Sequence, residues 1–130
     1  MSDAPLILIV EDDPSVIELE RVLLEDEGYS VVTARDGLEG LLKTEFRRPA
    51  LILLDLMMPN VDGVRMFEEL HRDPRLSGTP VLIVTGMSDA HTAFDAVVGA
   101  ENVIIKPFGL DQLLQRVVAL AGPGKKDDPT

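Results

Sequence analysis

Five short apolar or β-branched runs constrain this chain most, at Leu6–Val10, Ser30–Ala34, Ala50–Leu54, Val81–Val84 and Val103–Ile105. Each is followed by a longer stretch of mixed polarity. Strands that are apolar on nearly every residue must be covered on both faces. The intervening stretches carry helical spacing: Val16, Leu19 and Leu23; then Leu38, Leu41 and Leu42; then Val64, Phe67 and Leu70; and last Leu110, Leu113, Leu114 and Val117. The stretch from Asp89 to Val98 is patterned most weakly. Strands alternating with helices predict a doubly wound α/β domain, a five-stranded parallel sheet with helices on each side. Punctuation agrees, since Asp13-Pro14 reads as an N-cap followed by proline at the first helical position, and Gly28 as a C-terminal stop.

A length of 130 residues suits one hydrophobic core and not two. With 23 acidic residues against 12 basic, the net charge of −11 repels phosphate backbones and anionic lipid surfaces, so neither nucleic acid nor membrane is an expected direct partner. There is no cysteine, which removes disulfides, thiolate metal sites and thiol nucleophiles together. No apolar run approaches the ~20 residues of a membrane helix, and Met1–Pro5 lacks the basic and apolar segments of a secretory signal; a cytoplasmic location is expected. Residues 1–121 read as the domain. Residues 122–130, without an apolar anchor, read as a flexible tail or the start of a linker.

Ligands of doubly wound sheets bind beyond the carboxyl ends of the strands, so the residues just after each strand carry the chemistry. Here they are Glu11-Asp12-Asp13, Asp55, Thr85-Gly86 and Lys106-Pro107, whereas Arg35-Asp36 after the second strand reads as helix capping. Carboxylates converging without histidine or thiol form a hard oxygen site suited to Mg²⁺ or Mn²⁺. Lys106 adds a compact positive charge and Thr85 a hydroxyl. Together with the metal, that pair meets the needs of a transferring phosphoryl group, whose charge is spread over three oxygens. Asp55 stands alone after a central strand and is the candidate nucleophile, while the adjacent Glu11 and Asp12 share the metal. Asp13 is explained as a helix cap. His71 and His91, the two histidines, are expected to be helix-surface groups.

The Glu11-Asp12 pair, Asp55 within Leu54-Asp55-Leu56-Met57-Met58-Pro59 with Asp62-Gly63 following, Thr85-Gly86 and Lys106-Pro107-Phe108 resemble the receiver domain of two-component response regulators from about Leu6 to Leu120. The resemblance implies strand order 2-1-3-4-5 with five helices, and Mg²⁺-dependent transfer of a phosphoryl group from a phosphohistidine of a sensor histidine kinase or phosphotransfer protein to Asp55. By the same resemblance Asp12, Asp55 and the Met57 carbonyl are metal ligands, Glu11 holds metal-bound water, Thr85 and Lys106 bind phosphoryl oxygens, and Lys106-Pro107 is a cis peptide. The implied output is contact with a downstream protein or effector domain through the helix 4, strand 5, helix 5 face, as a monomer or a phosphorylation-dependent dimer.

Two departures stand out. Many receivers carry Tyr or Phe three residues before the lysine, where this chain has Val103, and the stretch between Thr85 and Lys106 is about one residue short. They leave a pseudo-receiver, a binding module that does not use phosphate, as the rival in another class. A flavin carrier is excluded by the acidic first loop, which would repel the cofactor's phosphate. An aspartate phosphatase would show Asp-x-Asp after the first strand, which this chain lacks.

Overall fold

The structure, a computed structural model, describes residues 4–58 and 62–126. Pro59 of the central motif and the last four residues of the tail lie outside the described residues. Strands β1 (Leu6–Val10), β2 (Ser30–Ala34), β3 (Leu51–Leu54), β4 (Val81–Thr85) and β5 (Val103–Ile105) form one parallel sheet in the order β2-β1-β3-β4-β5. Helices α1 (Pro14–Asp26), α2 (Gly37–Phe46), α3 (Gly63–Arg72), α4 (Ala90–Val98) and α5 (Leu110–Ala121) connect and follow them. Sheet order and helix count are those implied by the resemblance. The pleat sends alternate side chains to opposite faces and divides the core in two. Leu8, Val10, Ile52, Leu54 and Ile83 pack with Met66, Phe67, Leu70 and Phe94 on one face, and Ile7, Ile9, Leu53, Leu82 and Ile104 with Leu24, Leu113 and Val117 on the other.

Local signals act as expected at the helix starts. Asp13, Asp36 and Asp62 each accept a hydrogen bond from a backbone N–H of the first turn of α1, α2 and α3. The weakly patterned α4 has no side-chain cap, and stops at Gly99, whose φ of 92° precedes a 3₁₀ turn at Ala100–Asn102.

The faces of α1 and α2 differ from the spacing argument. Leu19, Leu38, Leu42 and Leu110, expected to face inward, are exposed. In α2 the buried positions are Gly37, Gly40 and Thr44, because the helix lies so close that a Cβ on Gly40 would sit 2.9 Å from the Met66 thioether and 3.1 Å from Val10. Small residues take the contact line, Leu41 packs at its margin, and Leu38 and Leu42 are turned outward. In α1 the inward positions are Glu20 and Leu24. Residues 122–126, expected to be free, lie along the α1–β2 turn: the Lys125 N–H donates to the Gly28 carbonyl, Tyr29 Oη donates to the Gly122 carbonyl, and a Cβ on Gly124 would stand 2.0 Å from the Glu27 carbonyl oxygen. Backbone hydrogen bonds and missing side chains, rather than apolar anchors, hold this segment.

Gly63 begins α3 with no room for a side chain, since a Cβ would lie 2.0 Å from the Asp55 carbonyl oxygen and 2.6 Å from Leu56 Cα. Gly63→Ala is expected to lower unfolding free energy by about 1–3 kcal/mol through overpacking. Gly78→Ala, where nothing lies within 4 Å, is expected to stay within ~0.5 kcal/mol of the parent; urea denaturation of the two variants checks both.

Candidate functional site

Strand register brings the site together. Val10 stands opposite Leu54, Leu54 opposite Ile83, and Thr85 opposite Ile105, so Glu11, Asp55 and Lys106, just past β1, β3 and β5, meet Thr85, the last residue of β4, at one edge. The ladder extends into the site, as the Asp55 N–H donates to the Val10 carbonyl at 3.0 Å and the Lys106 N–H to the Thr85 carbonyl at 2.8 Å. The Lys106-Pro107 peptide is cis.

The side chains form a connected network. Lys106 Nζ donates to Glu11 Oε1 at 2.5 Å and to Asp55 Oδ2 at 3.3 Å. Thr85 Oγ1 donates to Asp55 Oδ1 at 2.9 Å, and the Met57 N–H reaches the same oxygen at 3.1 Å. Glu11 Oε2 accepts the N–H groups of Asp12 and Asp13 at 3.0 and 3.1 Å. Glu11 and Asp55 are only 3% and 5% exposed, whereas Asp12 is open to solvent. The expected site residues are therefore gathered at one edge, with Asp13 capping α1 beside them. His91 sits on the outer surface of α4, paired with Asp95, and exposed His71 lies against the Phe67 ring.

Two carboxylates under one ammonium leave an excess of negative charge. Burial pushes the Glu11 carboxyl up, against the hydrogen bonds from Lys106 and the Asp13 N–H, and the Asp55 charge adds to the rise. Burial pulls the Lys106 ammonium down, but the Glu11 hydrogen bond and the charges of Asp55 and Glu11 outweigh it, and its net displacement is upward. One carboxylate oxygen from each of Glu11, Asp12 and Asp55 lies within 4.8 Å of the others. Three oxygen donors, one on the solvent side, fit a small divalent cation that keeps part of its water. Met57, Met58 and Met87 line the open side with Asp12 and Asp62.

Glu20 is the residue that spacing missed. It is 2% exposed on α1 with Leu24, and its carboxyl is pushed up to about 8, first by burial and then by the Glu11 charge, against Lys106 and with Asp55. Its signal was its place between Ile17 and Leu24 on one helical stripe. A carboxyl whose folded pKa exceeds its ordinary 4.5 stabilises the fold while protonated, and that contribution is lost as pH rises through about 8. Between pH 5 and 8 Glu20→Gln is expected to remove a slope of about 1.4 kcal/mol per pH unit, so that the variant gains on the parent as pH rises. Paired denaturation curves across that range, in EDTA, test it.

A family model described as the response regulator receiver domain matches residues 7–118. Among curated relatives, the DNA-binding dual master transcriptional regulator RpaA of Synechocystis is 41% identical over 119 residues, 89% of this chain and 48% of that protein. The alkaline phosphatase synthesis transcriptional regulatory protein PhoP of Bacillus subtilis is 36% identical over 88% of this chain and 47% of its own. The chain thus spans about half the length of these relatives. Among solved structures, the signal receiver domain of a signal transduction histidine kinase from Syntrophus aciditrophicus superposes with a TM-score of 0.82 at 33% identity, covering 98% of this chain and 97% of that one. The chemotaxis response regulator CheY4 of Vibrio cholerae gives 0.79 at 30% identity, over 90% and 98% of the respective chains.

Proposed function

Since the chain belongs to the response regulator receiver domain family, we propose that it is a phosphoacceptor switch in which Asp55 takes a phosphoryl group from the phosphohistidine of a sensor kinase or phosphotransfer protein. The observation that carries this is the network of Lys106 and Thr85 on Asp55, beside the oxygen triad of Glu11, Asp12 and Asp55. Asp12, Asp55 and the Met57 carbonyl would hold Mg²⁺ or Mn²⁺, with Glu11 retaining its water. The bound cation supplies neutralisation of phosphoryl charge.

One Asp55 oxygen attacks phosphorus as the P–N bond to the donor imidazole breaks, and the imidazole leaves as the neutral ring after taking up a proton. Thr85, which now donates to Asp55, turns its hydroxyl to a phosphoryl oxygen. Lys106 exchanges its contact with a carboxylate for one with a second phosphoryl oxygen. The complete residue set favours this switch over a phosphate-independent binding module. Residues 1–121 act as the receiver, with residues 122–126 held along the α1–β2 turn. With Val103 buried in place of an aromatic ring, output passes through displacement of the loops and of α4, β5 and α5. RpaA is named as DNA-binding, whereas this chain's net charge of −11 opposes direct contact with a phosphate backbone.

Intact mass after incubation with Mg²⁺ and phosphoramidate is expected to show one added phosphoryl group, absent with EDTA and in Asp55→Asn. A chain that binds Mg²⁺ yet stays unmodified, even with a phosphorylated histidine kinase, refutes the phosphoacceptor role.

The phosphoryl group is expected to persist. Met57 and Met87, two residues beyond Asp55 and Thr85, flank the approach to the site and have no group that orients water. Positioned polar groups accelerate proton transfers by ~10²–10⁴-fold, so Met57→Asn with Met87→Glu should shorten the half-life at least ~10-fold. Decay of the phosphorylated mass peak measures it.

A further inference from the structure

The most exposed large hydrophobic side chain among the described residues is far from the phosphoacceptor edge. Phe46, at the end of α2, is 93% exposed, and Leu42 and Leu38, one and two turns before it, are 59% and 53% exposed. At i, i+4 and i+8 they form one stripe about 12 Å long. The stripe borders a groove of roughly 630 Å³ between α2 and β2, floored by Val32 and Leu6. Contiguous apolar surface of this kind marks an interaction site more often than isolated leucines do.

Charge identifies the occupant. From Arg35 to Arg48 the chain carries four basic residues and three acidic ones, within a chain of net −11. The acidic three are engaged: Asp36 caps α2, Glu39 pairs with Lys43, and Glu45 pairs with Arg75. Arg47 lines the groove at the stripe's end and forms no ion pair among the described residues, and Arg48 follows it in sequence, its charge also acting on Asp73. A second copy of the same patch would bring these guanidiniums against their own copies. Strand addition at the β2 edge is opposed by Lys43, whose Nζ already donates to the Thr33 carbonyl. A concave groove beside a two-turn stripe accepts a convex helix better than a flat bilayer.

We propose that the α2–β2 groove is a docking site for an acidic amphipathic helix of a partner protein, anchored on Leu38, Leu42 and Phe46 and steered by Arg47 and Arg48. It is independent of phosphoacceptor chemistry.

The test is an amide-resolved NMR titration of the whole chain with a synthetic 18-residue helix carrying Leu and Phe at i, i+3, i+4 and i+7 with Glu elsewhere, and with its Lys-for-Glu counterpart. The acidic helix is expected to shift amides of residues 38–47 and of β2 and to bind at least ~10-fold tighter than the basic one. Phe46→Ser, and separately Arg47→Glu with Arg48→Glu, should each weaken it ~10-fold or more while leaving phosphoramidate labelling of Asp55 unchanged. These side chains are exposed, and circular dichroism checks that both variants fold. Shifts with neither helix, or equal or tighter binding of the basic one, overturn the proposal. It is also overturned if the same amides respond instead to phosphatidylserine vesicles, or to protein concentration with dimer formation in sedimentation.

Discussion

Glu11 and Asp55 are buried carboxylates, and one ammonium, Lys106, lies within reach of both. Removing two such charges from water is costly, and their mutual repulsion adds to the cost unless a cation stands between them. That cation comes from the end of β5, an edge strand, while Glu11 and Asp55 follow β1 and β3 near the middle of the sheet. Lys106 can arrive only if β4 separates β3 from β5 and each ladder holds its register. A one-residue slip would turn a strand's side chains to the opposite face. Compensation of this charge therefore depends on the whole topology, and the topology is held by doubly buried strands.

The same electrostatics reaches beneath the site. Glu20 comes from α1, on the face where Leu24 packs with Ile7, Ile9 and Leu113, and the charges of Glu11, Lys106 and Asp55 act on its carboxyl. An apolar residue at this position would pack without sensing the site. A carboxyl titrating near neutrality changes its proton occupancy when the charge above it changes.

Much of this was legible in the sequence, and for physical reasons. The strands β1, β3 and β4 declared themselves because burial on both faces makes them almost continuously apolar, and the site because the residues at the strand ends fall at the same edge. The caps of α1 and α2 were legible as Asp13 and Asp36 at the helix starts, whereas Asp62 was read only as part of the motif and turns out to cap α3. Helix faces were less so. In α2 the closest approach to the sheet is made by Gly37, Gly40 and Thr44, which carry almost no hydropathy, so the leucines point away from the true contact line. In α1 a charged residue occupies a core position. The docking of residues 122–126 rests on backbone hydrogen bonds and the lack of a side chain at Gly124, which no apolar pattern announces.

Tight packing of α2 also links fold to surface. Because small residues take the inner line, the helix presents its large apolar groups outward beside β2, at one edge of the sheet, while β5 lies at the other. With neighbouring strands about 4.8 Å apart, the two edges are separated by roughly 19 Å, and Asp55 follows the central strand. A helix seated on α2 and a partner on the α4, β5, α5 face would therefore occupy opposite flanks without competing for surface. If phosphorylation of Asp55 shifts both flanks, the effect runs both ways, since an occupant that prefers one state of the sheet biases the acceptor toward it by the same free energy. Asp55 follows β3, the third of five strands, and so stands two strands from either edge.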